Sequence, residues 1–357
     1  MKRIIAAGVA GLVVSATASA QSSVTLYGSL DAGVAYISNV AGNSKWMEEQ
    51  GNTQPDRWGL TGTEDLGGGW RAVFKLENGF YTNTGGFAKA GALFNRQSFV
   101  GLSQSRVGTL TLGHQTPFNF DVLGPFSTAY QAQSWFTFHP GNIDELADTG
   151  IVPFDNSAKF RSVDYYGFTV GAMMGLGNTT NFASGRNYSL ALTYAHGPLK
   201  AGAVYSNESN RTPSIVTTGI TSFQGVAAAN YTAAKVENMG AGLSYQIGKL
   251  LLHGVYTHVK LESAGYADIY QSFDVGANYQ LTPFSNVAGG ASTTTLSGRR
   301  WTQVEIGDTY SLSKSTQVYV NLMYEHANSN ANAAFFTAGV SGGRNQTIVL
   351  SGIHHSF

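Results

Sequence analysis

The residues best placed by type and spacing to do chemistry lie in one long segment, 115–157, and in the basic positions ahead of it. The segment carries Asp121, Asp144, Glu145, Asp148 and Asp155. It also carries Phe118, Phe120, Phe126, Trp135, Phe136, Phe138 and Phe154. Ahead of it stand Arg57, Arg71, Lys75 and Arg96. Wall cations facing loop anions across water make a transverse field, which orients dipolar solutes and filters ions by charge. The spacing from Asp144 to Asp148 allows one helical turn with both carboxylates on one face. A loop this long is functional or disordered, and its aromatic content argues against disorder.

Other chemistry finds little support. Eight histidines are present, and none has metal-ligand spacing beside Cys or carboxylates. His354 and His355 are adjacent, so on a strand they point to opposite faces. No Gly-x-Ser-x-Gly elbow and no phosphate loop occurs. We therefore expect no catalytic residues, no metal and no cofactor. Spacing does not exclude a Ser–His pair across neighbouring strands, as in a membrane lipase.

The elements that position these residues show a period of two. In Val24–Tyr36 the even positions are Val, Leu, Gly, Leu, Ala, Val and Tyr, and the odd ones include Thr25, Ser29 and Asp31. Phe273, Val275, Ala277 and Tyr279 alternate with Ser272, Asp274, Gly276 and Asn278. Alternation gives one apolar and one polar face, but a soluble sandwich would show it too. Connection length separates the two. Seven short turns lie at Gly67–Gly69, Ser105–Gly108, Tyr166–Gly167, His196–Pro198, Ile247–Lys249, Leu281–Pro283 and Leu312–Lys314. Longer polar stretches fall between them, near 38–55, 81–93, 115–157, 177–186, 207–235, 261–269, 288–299 and 327–345. Seven turns and eight loops join sixteen strands, with loop length sorted by side as in an outer-membrane barrel.

Composition agrees. Gly is 44 of 357 residues and charged residues are 12%, against about 7% Gly and about 25% charged in ordinary domains. No apolar run is long enough for a spanning helix. Residues 1–20 read as a secretory signal peptide: Lys2-Arg3, an apolar run Ile4–Val14, then Ala18-Ser19-Ala20. The barrel then occupies 21–357. Without Lys2 and Arg3, 19 basic face 21 acidic residues, a net of −2, and nothing suggests nucleic acid. Cysteine is absent, so no disulfide contributes.

Several blocks resemble the general porins of β-proteobacteria. Gln21-Ser-Ser-Val-Thr-Leu-Tyr-Gly28 resembles their first strand. Arg57-Trp-Gly-Leu-Thr-Gly-Thr-Glu-Asp-Leu-Gly-Gly-Gly69 is similar to their second strand and first turn, and is the most specific block. Phe94–Leu102, Gly108–Gly113 and Gly352–Phe357 are also similar. The resemblance implies an all-β, 16-stranded antiparallel transmembrane β-barrel with the third long loop folded into the pore. It also implies a homotrimer in the cell outer membrane, in contact with lipid and lipopolysaccharide, passing small hydrophilic solutes and ions by passive diffusion. Arg57 and Arg96 match the family's wall arginines. His114 stands where the family has Arg, the basic pattern at Ala158–Arg161 is rearranged, and the third loop shares little motif.

The expected constriction is Arg57, Arg96, Arg71 and Lys75 on the wall against Asp121, Asp144, Glu145 and Asp148 on the loop. Three features resist the simple pattern. Arg96 shares parity with the lipid-facing Val100 and Leu102, so a lumen position needs a bulge or a strand end. Asp308 shares parity with Val304 and Ile306, which calls for a subunit interface or a register shift. Ile348 and Leu350 oppose the parity of Ile353 and Phe357, which a bulge or an inner-wall contact would explain. Alternative functions are a substrate-specific channel, to which the loop aromatics point, and a barrel enzyme of membrane-lipase type.

Overall fold

A computed structural model describes residues 23–148, 153–180 and 185–357; the expected signal peptide lies outside the described residues. The strands are β1 Ser23–Val40, β2 in two pieces (Asn43–Gln50 and Arg57–Gly67), β3 Trp70–Gly79, β4 Gln97–Gln104, β5 Gly108–Gln115, β6 Phe154–Ser162, β7 Phe168–Gly175 and β8 Asn187–His196. They continue with β9 Leu199–Arg211, β10 Ala233–Ile247, β11 Leu250–Ser263, β12 Tyr266–Gln280, β13 Ser285–Leu296, β14 Arg299–Ser311, β15 Thr316–Ala327 and β16 Asn345–Ser356. Each pairs antiparallel with its neighbour, and β1 closes on β16 from Ser29↔Ser356 to Ile37↔Ile348. The result is a closed barrel of sixteen strands, as expected. Closure removes every sheet edge, which is what lets a sheet cross hydrocarbon.

The pleat is inverted relative to a soluble protein. On β12, Phe273 and Val275 are 59% and 64% exposed, while Ser272 and Asp274 are 0% and 1% exposed. A sandwich buries its apolar face; this wall turns it outward.

All seven short turns fall where expected. Three of the eight long loops do not exist as such. β1 and β2, β11 and β12, and β13 and β14 run on and meet in the two-residue turns Ala41-Gly42, Ala264-Gly265 and Ser297-Gly298. Both residues of each have positive φ, the geometry that matches strand twist. Polarity misled the expectation, because a strand that has left the bilayer no longer needs an apolar outer face. The run Ser292-Thr293-Thr294-Thr295 is such a strand.

The third loop packs on the inner wall. Phe118, Phe126, Phe136, Phe138 and Phe154 are all buried. Phe118 and Phe126 join Met173, Val204 and Val255 of the wall in one cluster. Phe136 joins Ile37, Met323, Ile348 and Leu350. The β15–β16 register is unbroken, so this inner-wall contact, not a bulge, explains the parity of Ile348 and Leu350. Glycine makes room elsewhere: a Cβ on Gly242 would collide with the Phe126 ring, and one on Gly202 would reach 2.5 Å from Val122 Cγ1. Polar contacts run around the barrel. Asn52 Nδ2 donates to Gln133 O, Asn321 Nδ2 to Ala132 O, Tyr270 Oη to Pro140 O and Asn238 Nδ2 to Asp144 O.

The expected helical turn over 144–148 is absent. Glu145 has φ 63° and Asn142 φ 45°, and the Asn142 side chain closes a ring with Ala147 N and O at 2.9 Å each. Left-handed residues with local side-chain bonds compete with helix. Asp308 keeps its outward parity in an unbroken register, so no register shift occurs. Near the turn that follows β14, it accepts a hydrogen bond from Ser285 Oγ at 2.8 Å.

Candidate functional site

The site is built where the restart of β2, the end of β3 and the entry to β4 converge on one carboxylate. Glu77 points inward from β3. It takes Arg96 Nε at 2.8 Å, Lys75 Nζ at 3.0 Å, Arg57 Nε at 3.8 Å and a hydrogen bond from Tyr27 Oη at 2.7 Å. Arg96 lies one residue before β4 begins. That strand end frees it from the outward parity of Val100 and Leu102. Its second arm reaches the loop, with NH2 2.9 Å from Asp148 Oδ2 and NH1 donating to Asp148 O at 3.1 Å. Arg57 is steadied by donation from NH2 to Gln54 Oε1 at 2.6 Å.

The remaining loop acids go elsewhere. Asp121 meets Lys159 of β6 at 2.5 Å and accepts from Thr116 Oγ1 at 2.8 Å. Glu145 meets Arg211 of β9 at 3.1 Å. Asp144 is fully buried against His139, 2.6 Å from its Nδ1, and accepts from Thr257 Oγ1 at 2.8 Å. The other His139 nitrogen is 3.6 Å from Asp274 on β12. Burial alone would pull the His139 pKa down, but the two carboxylates outweigh it and push it up to about 10. His139 is therefore an imidazolium clamped between the loop and the wall. Arg71 stands apart: it is exposed beside the β2–β3 turn, and no ion pair of it is found among the described residues.

Of the eight expected residues, Arg57, Arg96, Lys75 and Asp148 come together. Asp121, Asp144 and Glu145 meet other parts of the wall, on β6, β11 and β9 respectively. Glu77 shares the inward parity of Arg71 and Lys75 on β3, but nothing in the sequence marks it as the hub. Lys159, Arg211, His139 and Asp274 were missed as partners, since nothing in a single strand says what a loop will bring to it. His114, in the place of a family arginine, bonds Asp155 Oδ1 at 2.6 Å and Asn95 O at 3.0 Å.

Two cavities flank the Glu77 cluster and share Pro55, Arg96 and Trp135. One of about 330 Å³ includes Glu48, Asp56 and Asp148. The other, of about 230 Å³, includes Tyr27, Arg57, Lys75 and Tyr130. A Ser–His pair relevant to hydrolysis among the described residues is Ser29 Oγ with His354 Nε2 at 2.9 Å. Among the described residues no carboxylate hydrogen-bonds the other His354 nitrogen, so the three-part relay of a hydrolase is incomplete. No group of three or more His, Cys, Asp or Glu able to hold a metal occurs among the described residues.

Comparison with known proteins agrees with this geometry. The family model described as Gram-negative porin matches residues 6–331. An outer membrane porin protein of Bordetella pertussis is 30% identical, covering 95% of this chain and 96% of its own length. Outer membrane porin protein 32 of Delftia acidovorans is 27% identical over 100% and 99%. The solved anion-selective porin from Comamonas acidovorans superposes with a TM-score of 0.79 at 25% identity, covering 94% of this chain and 100% of that one.

Proposed function

We infer the filter of this pore from one premise: the chain belongs to the Gram-negative porin family and forms a passive channel in the outer membrane, not an enzyme. The filter is the stretch of lumen beside Arg96 and Trp135, which line both cavities. The observation that carries this is the convergence of Arg57, Lys75 and Arg96 on Glu77 with Asp148 opposite. Within the cluster itself three cations against two carboxylates leave one positive charge in excess, while Glu48 and Asp56 line the adjoining cavity. In a narrow, low-dielectric passage that excess favours anions modestly. Small hydrophilic solutes and ions pass; a tight solute-specific site is not required for this.

Assembly as a homotrimer, contact with lipopolysaccharide, and removal of residues 1–20 on export belong to the same reading. Their support is the family membership, the apolar outer wall and the leader pattern.

The test is single-channel recording in a planar bilayer under a salt gradient. Conductance steps in threes with a reversal potential of anion-selective sign are expected. Arg57→Ala and Arg96→Ala should move that potential towards cations, and Asp148→Asn the other way. An ideal cation potential in the unaltered protein would overturn the charge assignment.

A further inference from the structure

The cavity beside Arg57 and Lys75 has a second character that ion filtering does not use. Tyr130 is 48% exposed, on a loop whose neighbouring Ala129 is 1% exposed. Its ring, with Phe120, Trp135 and Tyr27, lines the same 230 Å³ space as the two cations. Nearly every other apolar group of this loop is buried, so rings left facing water are available surface. The cations are also incompletely engaged. Arg57 sits 3.8 Å from Glu77, and Lys75 and Arg57 are about a quarter exposed. The space is smaller than the roughly 300–1,000 Å³ of drug-sized sites, and so suits a solute of a single ring.

We propose that this cavity is a transient binding subsite for aromatic monocarboxylates, the ring against Tyr130 and the carboxylate on Arg57 and Lys75. The inference rests on the filter placed above. It adds a solute class that dwells in the pore while simple ions pass. Two arrangements of charge sharpen it. Glu48, Asp56 and Asp148 line the adjoining cavity, so entry is favoured from the cationic side. Acetate has the charge without the ring, and benzylamine the ring with the opposite charge.

Single channels are recorded in potassium chloride with each probe added to either side. Benzoate at millimolar concentration is expected to produce resolved interruptions, stronger from one side, and acetate and benzylamine are not. Tyr130→Ala should weaken benzoate by about five- to tenfold, the scale of one ring–ring contact, and Tyr130→Phe should retain it. Arg57→Gln should weaken it as well and covers the case in which Tyr130→Ala does not fold, since the hydrogen bonds and ion pair of Arg57 go to Gln54, Pro55 and Glu77 on the wall side. Equal interruption by acetate, or unchanged benzoate affinity in either Tyr130→Ala or Arg57→Gln, overturns the subsite. Steps in chloride without benzoate interruptions remove only this inference; no steps at all remove the channel reading with it.

Discussion

Asp144 and Asp148 are four residues apart in one loop and end in opposite situations. Asp148, also buried, meets Arg96 and lines one of the two cavities at the Glu77 cluster. Asp144 is sealed against the wall between His139 and Thr257. In the proposed reading the first acts on a passing ion, while the second only ties the loop to the wall. Identical side chains therefore divide into a filter and a clamp, and the division follows from which wall each meets.

The clamp should be the more costly to break. His139→Leu leaves Asp144 and Asp274 buried without their cation, and losing one partner of a buried pair costs about 3–5 kcal/mol. A lower temperature of barrel unfolding, read by mobility on a denaturing gel, and noisier open channels are expected. Gly242→Leu attacks the same docking through packing. The Cβ that Gly242 lacks would occupy the place of the Phe126 ring, and overpacking costs about 1–3 kcal/mol. Unchanged stability in both variants would mean that the loop is not held by this wall.

The filter should respond in charge and little in stability. Asp148→Asn should shift the reversal potential towards anions, while Asp144→Asn should leave it in place despite removing the same charge. Equal shifts would abolish the distinction. The pH dependence sharpens it further. The folded pKa of His139 is raised to about 10 from 6.5, so its stabilisation is complete below about pH 6.5 and is lost as pH rises through about 10. Channel noise should increase above that pH, and His139→Gln should remove the alkaline step. The smallest expected effect is that of Arg71→Ala, which should change neither potential nor stability.

Much of the fold was legible in the chain. Period-two alternation and the seven turns fix sixteen strands, because a bilayer wall imposes both. The loops at Ala41-Gly42, Ala264-Gly265 and Ser297-Gly298 were not, because polar strand and polar loop have the same composition once the outer face meets water. The wall half of the filter was partly legible: Arg57 and Lys75 lie on the polar parity of their strands. Arg96 became legible only through family likeness, since its position depends on where β4 begins.

The sequence by itself determined the barrel, its strand number, its outward apolar face and the aromatic loop that needs an inner surface. These are local or periodic properties, set by side-chain alternation and by turn residues. Only the tertiary structure decided which acid faces which cation. Asp121 with Lys159, Glu145 with Arg211, and His139 with Asp144 and Asp274 join residues 38, 66, 5 and 135 positions apart. Such pairings depend on how an irregular loop, bent by left-handed Asn142 and Glu145, lands on the inner wall. No periodicity encodes that landing; packing of Phe118, Phe126 and Phe136 against the wall chooses it.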